Sequence, residues 1–366
     1  MTKPRRTRPR AALQHAAKLL VQKLVSFVPG EAGFRVNEWV VGRMRSAPGD
    51  DFFRFRIAKG LANLERLRAE TSADLAGRVL ELGTGWHGID LLLFHVFGAR
   101  SIHTVDHHRH LELGYVKRAA ALLLDGEALA GLDPDGPLGV PLPERVAGLR
   151  VIAGCDTVGA FLEHIGATFV QARSCVLAPG DVPAGIDVLY SESVLQRIPT
   201  RDLFALLQFV RTELLAPGAV SFHRTDQKDI NAQEHVNDGI DPLGYLRHSD
   251  FVHDRLLSCR FNAQNRLRES DLVRAFEDLG LRTVSLTSTW SEEDLARYAD
   301  FPFAARFAAH GLRDLVTTAS ILVSFLPEGE KQDEARSEGH VDLPRPAGAR
   351  PSARIVDEGS RVAQNV

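Results

Sequence analysis

Few folds accommodate the run Arg78-Val79-Leu80-Glu81-Leu82-Gly83-Thr84-Gly85-Trp86-His87-Gly88. Val79, Leu80 and Leu82 make a short apolar segment of the kind buried in a parallel strand, and it leads directly into glycines. Ile89 to Phe97 then has the apolar density of a packed helix. A second strand, Ile102 to Val105, ends in Asp106. Strand, glycine turn and helix start together make a cradle. Glycine lets the backbone approach a ligand, and the helix end presents free N–H groups.

Two ligands compete for that cradle. Gly83-x-Gly85-x-x-Gly88 satisfies the dinucleotide fingerprint, and Asp106 stands about 20 residues on, where that fingerprint places a carboxylate for ribose hydroxyls. Glu81 separates the alternatives. A carboxylate there repels the pyrophosphate of a nicotinamide dinucleotide, whereas S-adenosylmethionine carries a sulfonium and an ammonium that an acidic strand end attracts. Glu81-Leu82-Gly83-Thr84-Gly85 resembles the first motif of the class I S-adenosylmethionine-dependent methyltransferases, and Thr104-Val105-Asp106-His107-His108 resembles their second. The resemblance implies a Rossmann-like, doubly wound, seven-stranded and mostly parallel sheet, with S-adenosylmethionine held by Glu81, Gly83, Thr84, Gly85, Trp86, Asp106 and His107.

Composition narrows the class of partner. A net charge of −3 gives no global field for nucleic acid. Cys155, Cys175 and Cys259 are odd in number and widely spaced, which fits neither a disulfide framework nor a metal knuckle and points to a reducing cytoplasm. No apolar run approaches the roughly 20 residues needed to cross a bilayer, so no integral membrane association is expected. His103, His107, His108 and His110 invite a metal, but strand alternation puts His103 on another face and no further ligand completes a known spacing; no metal is expected.

The N-terminal residues 1–10 carry Lys3, Arg5, Arg6, Arg8 and Arg10, and the first acid is Glu31. A transit peptide or a membrane-surface helix has this character; the expected alternative is a solvated basic arm followed by a helical extension over 11–76. Within the extension Asp51 to Ala69 is the strongest helix, and Phe52, Phe53 and Phe55 either line a cover over the site or belong to the core.

Residues 77–326 form the expected methyltransferase-like domain. Leu111 to Leu124 reads as a second crossover helix, and 125–150, rich in Gly and Pro, as a loop insertion. Ala167 to Val170 is a third strand, followed by Gln171 and Ala172 on the adenine side by resemblance, though without the acid usual there. Ile186 to Pro199 resembles the family's fourth motif and brings Ser191 to the cofactor, with Gln196 and Arg197 where an acid and a histidine are common. Leu214-Leu215-Ala216-Pro217-Gly218-Ala219 resembles the turn into a fifth strand, Leu281 to Leu286 is a sixth, and Ile321 to Phe325 an antiparallel seventh.

The fifth strand ends in His223-Arg224-Thr225-Asp226, on the edge where open α/β sheets bind ligands. Either His223 is a general base oriented by Asp226, since a near-neutral imidazole suits removal of an acceptor's proton, or His223 caps a strand and Asp226 bonds nearby amides. In the substrate-side region 227–270, Arg266 and Arg268 either clamp an anionic substrate group or pair with acids such as Glu269 and Asp271 at a helix start. Residues 327–366 are rich in charge, Pro and Gly and are expected to be disordered. The resulting expectation is methyl transfer to an oxygen or nitrogen of a small molecule or sugar. A nicotinamide-dependent oxidoreductase and a non-catalytic methyltransferase-like binding protein stand as alternatives.

Overall fold

The period-two alternation of apolar residues builds one central sheet whose two faces carry different chemistry. The computed structural model describes residues 20–28, 32–37, 48–172, 175–230, 232, 240–259, 261 and 263–328. The basic arm and the C-terminal tail expected over 327–366 lie outside them, apart from 327 and 328, as does most of the chain before residue 48.

Seven strands run in the order β3-β2-β1-β4-β5-β7-β6. They are β1 (Arg78–Leu82), β2 (Ser101–Asp106), β3 (Ala167–Gln171), β4 (Ile186–Glu192), β5 (Leu215–Asp226), β6 (Arg282–Thr289) and β7 (Ala319–Phe325). Strands β1 to β5 pair in parallel, and β7 inserts antiparallel between β5 and β6. The order reverses between β2–β1 and β1–β4, which makes the ends of β1 and β4 the switch point where such sheets take ligands.

Helix α1 (Asp50–Thr71), α2 (Ile89–Val96) and α3 (Leu113–Leu124) cover one face. The core there holds Ile57, Leu64, Val79, Leu92, Val188, Tyr190 and Phe222. The insertion expected as loop contains α4 (Pro143–Ile152), a correction to the sequence expectation. Proline at its first turn and the burial of Leu149 and Ile152 fix it. Helix α5 (Val158–His164) precedes β3, and α6 (Thr200–Phe209) with α7 (Glu269–Asp278) covers the opposite face over Leu80, Leu189 and Leu322. A third cluster around Leu243, Tyr245, Tyr298 and Phe307 packs the segments beyond the β5 and β6 ends.

In α1, Phe53 is core, while Phe52 and Phe55 are exposed. Gly60 lets α1 close on α2: a Cβ there would stand 2.5 Å from Leu93 Cδ1.

Candidate active site

Strand parity decides which side chains meet at the carboxyl edge. On the face covered by α1 and α2 lie Glu81, Thr104, Tyr190, Glu192, Arg224 and Asp226. On the face under α6 and α7 lie Ser191 and His223, cross-strand neighbours one step out of phase with Glu192 and Arg224.

The glycine turn has the geometry that its sequence implies. Gly83 and Gly85 have φ of 84° and 64°. A Cβ on Gly83 would strike Val194 Cγ2 at 2.2 Å, so a side chain is excluded there, whereas nothing lies within 4 Å of one on Gly85. That open space beside bare backbone is room for a ligand. Asp106 is fixed beneath it: Oδ2 accepts from the Gly85 amide (3.2 Å), and Oδ1 from the His108 amide (3.2 Å) and pairs with His107 Nδ1 (3.0 Å). Burial pushes this carboxyl up, but His107 and His110 outweigh it and hold Asp106 below its ordinary value.

Glu81 lies 3% exposed and accepts a 2.5 Å bond from Thr104 Oγ1, which also meets Thr84 Oγ1. Burial, then the charge of Asp90, pushes Glu81 well above the carboxylate range. Asp90, in the first turn of α2, is lifted to about 6, chiefly by burial, and accepts a 3.2 Å bond from Tyr190 Oη. Glu81, buried, and Asp90, half-buried, stand side by side at the foot of the cradle. Arg56 favours the charged form of each, yet burial still leaves both short of counter-charge. A ligand bearing sulfonium and ammonium charge fits that demand, a pyrophosphate does not.

The remaining cofactor-side positions divide. Trp86 stacks on His110 at 4.7 Å. Gln171 Nε2 donates to the His107 carbonyl, and the Ala172 amide to the Asp106 carbonyl, so both brace the β2 end. Ser191 is fully buried with its hydroxyl 2.8 Å from His223 Nδ1, turned from the cradle to the other face.

His223 requires a correction. Its ring is 1% exposed, held by Ser191 and packed 4.7 Å from Phe276 of α7, and burial drives its pKa to about 3. Asp226 stands three positions further on, an odd step that points the two side chains to opposite faces. Asp226 is not its orienter; it accepts from the Lys228 amide at 3.1 Å and is raised by burial.

Arg266 and Arg268 are also corrected. Both are buried, at 1% and 0% exposure. Arg266 donates to the His248 carbonyl and pairs with Asp250. Arg268 spends its fork on the carbonyls of Gln227, Asp314, Leu315 and Thr317. They lock loops together, with neither a substrate clamp nor the expected side-chain pairs to Glu269 and Asp271. Among the described residues one trio, Asp106, His107 and His110, brings possible metal-ligand atoms within 4.8 Å of one another, closer than the sequence suggested.

A polar stripe of α1 escaped the sequence analysis. Arg56, Lys59 and Asn63 recur at helical spacing and face Glu192 at the β4 end. Asn63 Nδ2 bridges Tyr190 Oη (3.0 Å) and Glu192 Oε2 (2.8 Å), and Lys59 pairs with Glu192 Oε1. The i, i+3, i+7 recurrence of polar residues was the available signal.

Fold and cradle together are a doubly wound, seven-stranded, mostly parallel sheet with a glycine turn at its switch point. No protein-family model matches the chain, and no curated protein matches it in sequence. Among solved structures, an S-adenosylmethionine dependent methyltransferase from Mesorhizobium loti is 14% identical, over 71% of this chain and 95% of its own, with a TM-score of 0.38. Magnesium protoporphyrin IX methyltransferase from Synechocystis PCC 6803 is 13% identical over 84% and 99%, TM-score 0.38. Geranyl diphosphate C-methyltransferase from Streptomyces coelicolor A3(2) is 12% identical over 72% and 77%, TM-score 0.37. At such identities substrate and chemistry do not transfer. No helix among the described residues is long and apolar enough to cross a membrane.

Proposed function

We propose that the chain is an S-adenosylmethionine-dependent methyltransferase acting on an oxygen or nitrogen of a small molecule or sugar. The observation that carries this is the adjacent pair of acids with raised pKa, Glu81 and Asp90, beneath a glycine turn with open space at Gly85. Glu81 and Asp90 would face the cofactor's cationic end, Asp106 its ribose hydroxyls, and Gln171 with Ala172 its adenine side. When bound, S-adenosylmethionine supplies a methyl group on a positively charged sulfur, open to in-line displacement.

The chain's own work is positioning, which accounts for much of the rate in such a displacement. The acceptor enters over the ends of β4 and β5, where Glu192, Arg224 and Asp226 stand. An oxygen or nitrogen acceptor must also give up a proton, and Asp226, raised by burial and still partly open to solvent, is the group on that face suited to take it. His223 is set aside for this role by its burial.

Calorimetric titration with S-adenosylmethionine, S-adenosylhomocysteine and NAD tests the proposal. The expected outcome is binding of the first two and none of NAD, with Glu81→Gln weakening S-adenosylmethionine by about tenfold, the scale of one lost charge-assisted contact. Tight uptake of NAD alone would establish the oxidoreductase alternative. Cofactor binding with no methyl loss across a broad acceptor panel would favour the non-catalytic one.

A further inference from the structure

We infer that Arg56 and Arg224, flanking Glu192 at the acceptor edge, form a site for an anionic oxygen group, a carboxylate or a phosphate, carried by the acceptor. This deepens the methyl-transfer proposal and rests on it.

Glu192 sits at the carboxyl end of β4 with its side chain 4% exposed. Its oxygens are already engaged: Asn63 Nδ2 donates to Oε2, while Ser193 Oγ (3.1 Å) and Lys59 meet Oε1. Arg56 Nη1 stands 3.8 Å from Oε1 and Arg224 Nε 4.0 Å, near enough for attraction and too far for a hydrogen bond. Among the described residues neither guanidinium makes any hydrogen bond. Their side chains are nevertheless 20% and 32% exposed, and Arg56 Nε is sealed from solvent without a partner.

Each guanidinium offers five N–H donors, and leaving such donors unpaired away from water is costly. Loop-locking arginines in this chain behave differently: Arg268, equally charged, spends its fork on backbone carbonyls. Arg56 and Arg224 hold theirs unspent at the ligand-binding edge of the sheet. Around Glu192 three cations, Arg56, Lys59 and Arg224, face one carboxylate, while Asp226 pairs with Lys228. Glu192 holds Lys59; Arg56 also attracts Asp90 and Glu81 through space, but no carboxylate takes either fork in a hydrogen bond. A planar fork matches a carboxylate or a phosphate with two parallel bonds.

The cofactor's own carboxylate is the rival occupant, because Arg56 also lies near His87 of the glycine turn, whose pKa it helps to lower to about 3 after burial. The experiment separates the two. Full-length protein, free and saturated with S-adenosylhomocysteine, is titrated with inorganic phosphate and with acetate, following heat or thermal stability. Saturable binding to the loaded protein is expected. Arg224→Gln and Arg56→Gln should each weaken it about tenfold, the scale of a charge-assisted bidentate pair. S-adenosylhomocysteine affinity of Arg224→Gln should stay within about twofold of the parent, which also certifies its fold. Preference for phosphate or acetate identifies which anion the forks suit. The inference is overturned if the loaded protein binds neither anion saturably, or if phosphate displaces S-adenosylhomocysteine and Arg224→Gln weakens that ligand tenfold. Anion binding by a protein that ignores S-adenosylhomocysteine would sink the methyl-transfer proposal and leave the anion site standing.

Discussion

At position 223 a histidine lies between a strand and a helix with Nδ1 on the Ser191 hydroxyl and Nε2 without a partner. Desolvation of the charged ring makes it a neutral core residue. Its contribution to stability has a definite sign. The unfolded chain protonates this histidine below about pH 6.5, the folded chain only near 3, so the contribution is whole above pH 6.5 and is lost as pH falls toward 3. Urea denaturation of the parent and of His223→Gln at pH 7 and pH 5 measures it. The parent should lose about 2 kcal/mol more than the variant over that interval. Equal losses would mean that the ring is solvated and titrates normally. Because the variant keeps a group able to bond Ser191, donor affinity at pH 7 should be unchanged.

At the scale of an element, α1 does two jobs with two stripes. Phe53, Ile57, Leu64 and Leu67 pack into the core, and Arg56, Lys59 and Asn63 reach the polar edge. Gly60 sets the distance at which both succeed. A Cβ there would meet Leu93 Cδ1 at 2.5 Å and Asp90 Oδ1 at 3.1 Å. Gly60→Val should destabilise the fold by about 1–3 kcal/mol through overpacking. It should also weaken S-adenosylhomocysteine, because the crowded carboxylate is Asp90; a stability loss with unchanged affinity would disconnect α1 from the cradle. The helix itself was legible in the sequence, as were β1 with its glycine turn, β2 ending in Asp106, and the antiparallel β7, because each rests on local pattern. What was not legible depended on parity and on partners far away in sequence. His223 and Asp226 look adjacent at a strand end, yet an odd step sends them to opposite faces. Arg266 and Arg268 look like a clamp, yet their partners are carbonyls and a carboxylate up to 49 residues distant. Asp90 drew no notice because one acid in the first turn of a helix is ordinary until Glu81 is seen beside it.

Across the molecule, charge is sorted along one sheet edge. Acids gather at the β1 end, where Glu81 and Asp90 stand together, and cations gather around Glu192 at the β4 and β5 ends. Arg56 lies where it acts on both groups. Asn63 and Tyr190 join the two by hydrogen bonds from Glu192 to Asp90. A cationic donor at one end and an anionic acceptor at the other would each meet the opposite sign, and their approach would be guided along that gradient. The donor half has a pH signature. In the free protein Asp90 stays protonated up to about pH 6, and a positively charged ligand favours its ionised form. Binding therefore releases a proton at low pH, and affinity for S-adenosylmethionine should rise about tenfold from pH 5 to pH 7 and then level off. S-adenosylhomocysteine, whose sulfur is neutral, should show a shallower rise, and Asp90→Asn should flatten both. Calorimetry across that range, in buffers of different ionisation heat to count the protons, decides it. A flat profile in the parent would mean that the acids at the foot of the cradle never face the cofactor's positive charge.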